Sequence, residues 1–402
     1  MKLTNQIAVN PIGSRLFDAV TSTAQVTTST KISSPGMFTG VKVVFRNHIA
    51  NHATMKFAIA STNTNAYTYA ADNFATVRWS GQNTLTPADA VWYSPSATIS
   101  DSVAVQGQLD PVVNRYHLLI RGYPVTVNGG WYSYPKPPIS AARAVTAANR
   151  GEVYQIGEKA GDFVTTSSDF TDSTTAQMVG AVFNTVNPGL SVMGIGDSLL
   201  QCDGVSLSDR YSSYGLRACA DASTPELPIG WWNAGGSGMT TNVYKNQGQA
   251  LADTLKPNVI IYHAWSPNDL WDIDATNADG DIQALADAMM QRTNDIASYC
   301  AQNEIALIVC TGIPQPKAGK LDTISRDNIR KAFNATIRAS FANVLDLASI
   351  IGDEASPEGM IPGLAEGDGT HYNEAALDVI AGYLSQQLLN VAATMDQPSV
   401  FN

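Results

Sequence analysis

Leu190-Ser191-Val192-Met193-Gly194-Ile195-Gly196-Asp197-Ser198-Leu199 is an apolar run that closes on two glycines and then presents an aspartate and a serine. A short, nearly unbroken apolar run bounded by glycine reads as a buried strand giving way to a loop. The same signature returns downstream in IGWWNAG, NVIIYHAW, IALIVCTG and ANVLDLA. Between these runs the apolar period changes to that of a helix, near 209–221, 243–255, 281–302, 325–341 and 373–390. Ile282, Leu285, Ala286, Met289, Ile296 and Cys300 fall on one helical face, and so do Leu377, Ile380, Ala381, Leu384 and Leu388. Strands alternating with helices of this length require parallel strands joined by crossovers. The expected fold over residues 181–402 is therefore α/β, a doubly wound sheet in a three-layer α/β/α arrangement, with its site at the carboxyl ends of the strands.

Upstream the chain reads differently. Short runs rich in Val, Thr, Ile and aromatics (TGVKVVFRN, TMKFAIAS, ATVRWS, SVAVQG, RYHLLIRGY) are broken by STNTN, WSGQN and VNGG, with no helix-length period between them. This predicts an all-β, jelly-roll-like sandwich over residues 1–180. The polar stretch 165–177, TTSSDFTDSTTAQ, reads as the connector between the two. The 402 residues and the 44% hydrophobic content suit two cores.

Composition excludes several classes. A formal charge of -11 opposes nucleic-acid binding, because protein and phosphate backbone carry like charge. No run reaches membrane-spanning length, and Lys2 is not followed by an apolar run of signal-peptide size, so a soluble protein is expected. Compartment stays open, extracellular and virion-associated included, as does oligomeric state. The four cysteines, Cys202, Cys219, Cys300 and Cys310, form no zinc-type cluster. They read as buried thiols, with a Cys202–Cys219 pairing as the alternative.

Ser198 stands where a strand gives way to a helix, a placement that suits a nucleophile. A serine hydroxyl attacks only when a base takes its proton, so a histidine and an orienting group are required. Of five histidines, His48, His52 and His117 lie in the β-rich part and His263 lies inside a strand. His371 remains, three residues after Asp368 in a loop before the last helix. One turn there presents a carboxylate and an imidazole together. Donors for a developing oxyanion are expected from the glycine-rich Asn233–Thr240 loop and from Asn268 in Trp265-Ser266-Pro267-Asn268-Asp269. No metal or organic cofactor is called for.

The set of four blocks resembles the SGNH (GDSL) hydrolases: Gly196-Asp197-Ser198-Leu199, Ser237-Gly238, Asn268-Asp269 and Asp368-Gly369-Thr370-His371, over residues 190–390 only. The resemblance implies a flavodoxin-like sheet, Ser198 as nucleophile, His371 as base and then acid, and Asp368 as its orienting partner. It also implies an oxyanion hole of the Ser198 and Gly238 N–H groups and the Asn268 amide. The third block departs from the family, which carries glycine ahead of its asparagine where this chain has Ser266 and Pro267.

The expected activity is hydrolysis of a carboxylic ester, an acetyl ester of a glycan by analogy with the β-sandwich beside it. The rivals are a short-chain lipase or thioesterase, and a glycan-binding or virion-surface protein with a weakly active hydrolase domain. Trp232, Trp265 and Trp271 flank the second and third blocks and read either as pocket walls or as core. Gly130-Trp131-Tyr132-Ser133-Tyr134-Pro135 reads as a sugar-stacking loop or a packed aromatic turn. Asp269, Asp272, Asp274, Asp279 and Asp281 miss the EF-hand spacing and are expected to cap a helix.

Overall fold

The computed structural model describes residues 1–10, 20–22, 25–47, 52–63, 74–88, 96–111, 115–126, 131–135, 155–160, 171–172, 175–176, 179–202, 213–274, 276–315, 321, 323–352 and 359–395. The principal strands, numbered in chain order, are β1 (Thr4–Val9), β2 (Val26–Ser34), β3 (Phe38–Asn47), β4 (Met55–Thr62), β5 (Ser96–Ile99), β6 (Arg115–Pro124), β7 (Gln155–Ala160), β8 (Val179–Ile195), β9 (Ile229–Asn233), β10 (Val259–His263), β11 (Ala306–Cys310) and β12 (Val344–Leu345). The helices are α1 (Ser198–Gln201), α2 (Tyr214–Ala222), α3 (Thr241–Leu255), α4 (Asp279–Gln302), α5 (Ile324–Ser340), α6 (Leu347–Ile351) and α7 (Glu374–Ala393).

One strand organises the chain. The first half of β8 pairs antiparallel with β1 and β3, through Val182 opposite Ala8 and Lys42. Its second half pairs parallel with β9, Leu190 opposite Ile229, and with β10, Val192 opposite Val259. The parallel set continues through β11 to β12. Its spatial order, β9-β8-β10-β11-β12, places the first strand between the second and third, the flavodoxin-like order. The expected border between residues 180 and 181 falls at the start of β8, so one continuous strand serves both halves.

Alternation along the strands divides the apolar side chains between two helical layers. Val192, Val259, Ile261 and Ile308 face α2 and α7 through Leu216, Cys219, Leu377, Ile380, Leu384 and Leu388. Met193, Ile195, Ile260, Tyr262 and Val309 face α3, α4 and α5 through Leu251, Ile282, Met289, Phe333 and Ile337. Adjacent Trp231 and Trp232 in β9 divide between the two layers for the same reason. Leu384 and Leu388 are fully buried, each contributing roughly 2 kcal/mol by burial. Each expected helix is present with its ends moved by a few residues; of the expected 209–221, residues 209–212 lie outside the described set.

The upstream strands form a second sheet, β7-β2-β6-β4, whose neighbours are all antiparallel. Ile32, Phe57, Ile59, Leu118 and Ile120 of this sheet pack against Ile7, Val9, Val43, Phe45, Ala181 and Phe183 of the first. Trp131–Pro135, expected as a loop or turn, is instead a strand paired with Val20–Ser22. Of the expected connector 165–177, only Thr171–Asp172 and Thr175–Ala176 are described, each as a two-residue strand. All four cysteines are buried thiols, and no disulfide joins Cys202 to Cys219.

Candidate active site

Ser198 opens α1 directly after β8, and the Asp197 side chain caps that helix by accepting the Leu199 N–H at 3.0 Å. Position one of a helix leaves the Ser198 N–H without an intrahelical acceptor. His371 and Asp368 lie on the loop before α7. The Asp368 carboxylate builds the turn: its Oδ1 accepts the Thr370 and His371 N–H groups, both at 2.9 Å. Gly369 holds φ +69°, a left-handed conformation that costs glycine little. Asp368 Oδ2 then accepts His371 Nδ1–H at 2.6 Å, and His371 Nε2 lies 2.9 Å from Ser198 Oγ. The carboxylate thus keeps the imidazole proton on Nδ1, leaving the Nε2 lone pair to accept the serine O–H. Tyr372, the residue after His371, donates its buried hydroxyl to the Leu199 carbonyl and so ties the loop to the nucleophile helix.

The three groups differ in exposure. Ser198 is 5% exposed, the His371 side chain 19% and the Asp368 side chain 48%. Partial burial acts to raise the Asp368 carboxyl, but the hydrogen bonds from the His371 ring and from the His371 and Thr370 N–H groups outweigh it and hold the group below the ordinary carboxylate range.

The expected oxyanion donors occupy neighbouring loops. Gly238, at φ +73°, is exposed on the turn after β9, where a side chain would be strained. Asn268 lies in a short 3-10 turn, Pro267–Leu270, after β10; its Nδ2 donates one proton to the Met239 carbonyl at 3.0 Å, and the second remains for a ligand. The departure at Ser266-Pro267 has a structural role: Ser266 caps this turn and Pro267 occupies its first position, where no N–H is needed.

Beneath Ser198 lies a buried polar layer that sequence reading missed. Ser266 Oγ–H donates to Asp197 Oδ2 at 2.5 Å. Burial pushes the Asp197 carboxyl up to about 6, against the opposing hydrogen bonds from Ser266 and Leu199 and the His371 charge. His263, read as a core histidine, is buried with Nε2 2.6 Å from Tyr214 Oη, and burial lowers its pKa to about 3. Gln201 Oε1 accepts the Ser237 N–H at 2.7 Å, linking α1 to the glycine turn. Asp197 and Ser266 stood in the first and third blocks and His263 inside a strand, but no local pattern joined them.

Other expected residues are placed elsewhere. Trp232 and Trp265 are core residues at 0% and 2% exposure, and only Trp271, at 71%, reaches the surface. Among the aspartates, Asp281 accepts the Ala278 N–H at the start of α4, Asp274 accepts the Thr276 N–H, and Asp269 ion-pairs with Arg292 at 2.8 Å. Among the described residues no group of three or more His, Cys, Asp or Glu side chains is placed to hold a metal ion. Nor, among them, is any helix long and apolar enough to cross a membrane. His52 is buried, and His48 lies outside the described residues.

His117 also contacts a serine and an aspartate, Ser33 at 2.9 Å and Asp110 at 3.2 Å. Burial, aided by the Lys31 charge, holds it at about 4, so an imidazolium is disfavoured there and the ring is a poor base.

No protein-family model matches the sequence, and no curated protein matches it. Solved structures similar in part include a GDSL-like lipase from Bacteroides thetaiotaomicron, at 15% identity over 50% of this chain and 88% of that one, TM-score 0.37. A catalytic mutant of an acetylxylan esterase from Geobacillus stearothermophilus shares 16% over 50% and 95%, TM-score 0.39. A lipase from a goat rumen metagenome shares 11% over 51% and 97%, TM-score 0.40. Likenesses this distant leave the chemistry to be argued from the site itself: a hydroxyl, an imidazole and a carboxylate in one hydrogen-bonded line at the carboxyl edge of a parallel sheet.

Proposed function

We propose that this chain is a serine ester hydrolase of the SGNH type, acting through Ser198, His371 and Asp368. The observation that carries the reading is the line Ser198 Oγ–His371 Nε2–His371 Nδ1–Asp368 Oδ2, with contacts of 2.9 and 2.6 Å. His371 Nε2 takes the Ser198 proton as Oγ bonds to the ester carbonyl carbon. The oxyanion is received by the Ser198 and Gly238 N–H groups and the Asn268 amide. Collapse breaks the bond to the alcohol, which leaves with the proton from His371, and the acid stays on Oγ as an acyl-enzyme. Water, deprotonated by His371, then attacks the acyl carbon and releases the acid. The Asp368 carboxylate stabilises each imidazolium that forms.

The substrate we assign is an acetyl ester on a carbohydrate, and the upstream β-strands are read as an accessory jelly-roll-like sandwich over residues 1–180 beside a hydrolase domain over 181–402. Support for the sugar comes from Trp271, whose largely exposed indole follows Asn268 by three residues in the chain. The reading is tested by hydrolysis of p-nitrophenyl acetate, butyrate and octanoate, then of acetylated xylo-oligosaccharides, by wild type, Ser198→Ala and His371→Ala. Turnover lost in both variants and greatest on the acetylated sugar supports it. Preference for octanoate favours the lipase reading. No turnover by wild type, with glycan binding retained by Ser198→Ala, replaces the enzyme by a binding protein.

A further inference from the structure

Ser266 stands where three loops meet. Its Oγ lies 2.5 Å from Asp197 Oδ2, 3.2 Å from the Met239 carbonyl and 3.2 Å from the Asn268 backbone N–H. Asp197 precedes Ser198, Met239 follows Gly238, and Asn268 carries the third donor. Every contact of this one oxygen is therefore on an expected oxyanion donor or one residue away from it. A hydroxyl has a single proton and two lone pairs. The proton goes to the carboxylate, the shorter and charge-assisted bond, while a lone pair accepts the Asn268 N–H. Met239 O is left to the Asn268 side chain, which donates to it at 3.0 Å. Ser266 and Asp197 are fully buried, so water cannot replace a lost partner.

We propose that Ser266 is a positioning residue, whose hydroxyl clamps the loop of Asp197 to the turn of Asn268, which the Asn268 amide in turn ties to Met239, and thereby holds the three oxyanion donors in one geometry. The inference rests on the acyl-transfer reading above. Positioning of this kind acts on the tetrahedral state more than on the bound ester, so its signature is a split between kcat and KM.

The test compares wild type, Ser266→Ala, Ser266→Thr and Ser266→Cys on p-nitrophenyl acetate, with inhibition by phenylboronic acid as a tetrahedral mimic. Ser266→Ala is expected to lower kcat about ten- to a hundred-fold with KM within about two-fold, less than removal of a donor itself. Boronate inhibition should weaken in parallel. Ser266→Thr, which keeps the hydroxyl, should recover most of the rate. A wild-type kcat in Ser266→Ala, or a loss accompanied by an equal rise in KM, overturns the proposal. If Ser266→Ala fails to fold, Ser266→Cys decides: it fills nearly the same space with a weak donor, and an unchanged kcat there overturns the clamp. A wild type inert toward every ester refutes the underlying acyl-transfer reading instead, and the clamp with it.

Discussion

Replacing Asp368 by asparagine isolates what the carboxylate does. Its Oδ1 accepts two backbone N–H groups at 2.9 Å, an arrangement the asparagine carbonyl reproduces. The amide then has to place its NH2 where Oδ2 now accepts from His371 Nδ1 at 2.6 Å. Flipping the amide does not help, because its NH2 would then face two N–H donors. His371 Nδ1 becomes an acceptor, the proton moves to Nε2, and Nε2 can no longer take the Ser198 proton. In a fully buried triad this change costs about ten-thousand-fold in kcat. Here the Asp368 side chain is 48% exposed, so water can support the correct tautomer part of the time. The expected loss is about a hundred- to a thousand-fold, with KM nearly unchanged. Stability should hardly move, since a half-exposed pair adds less than about 1 kcal/mol. Steady-state hydrolysis of p-nitrophenyl acetate alongside thermal unfolding provides the check. An asparagine variant within a few-fold of wild type, with the same melting temperature, would refute the tautomer argument.

Trp265→Ala should destabilise by about 3–5 kcal/mol in urea unfolding and Trp271→Ala by under about 0.5, following their burial. Trp271→Ala should in turn raise KM for acetylated xylo-oligosaccharide while sparing p-nitrophenyl acetate. The Asp197 carboxyl is raised to about 6 in the fold, so its contribution to stability is full below the unfolded value near 4 and is lost as pH rises through 6. Asp197→Asn should therefore gain stability relative to wild type between pH 4 and 7, by up to about 3 kcal/mol, read as a pH-dependent difference in urea midpoint. All four cysteines are buried thiols outside any disulfide, and burial pushes Cys300 up to about 12. Ellman's reagent should find almost none reactive in native protein and all four after unfolding.

The α/β half was readable because its central strands are buried on both faces and its long helices on one. Those are the conditions under which apolar spacing reports structure directly, as at Val192, Met193, Leu384 and Leu388. The blocks around Ser198 and His371 were legible because glycine and aspartate are needed at their turns whatever lies around them. The strand Val26–Ser34 was not legible: its serines and threonines are buried, but among its described side chains Ile32 alone joins the apolar core. The length of β8 was hidden for a related reason, since Asn184, Val186 and Asn187 are exposed where the strand crosses between the two halves of its sheet. Trp232 and Trp265 could not be assigned to core or pocket without knowing which face of the sheet each occupied. The clamp at Ser266 joins residues sixty-nine positions apart, a pairing that no local pattern reports.

Covalent trapping tests the central claim most directly. Incubation with a fluorophosphonate, followed by peptide mass spectrometry, should place one phosphonyl group on Ser198 of wild type, none on Ser198→Ala, and label His371→Ala slower by orders of magnitude. Labelling at another residue, or equal labelling of wild type and His371→Ala, would contradict the account.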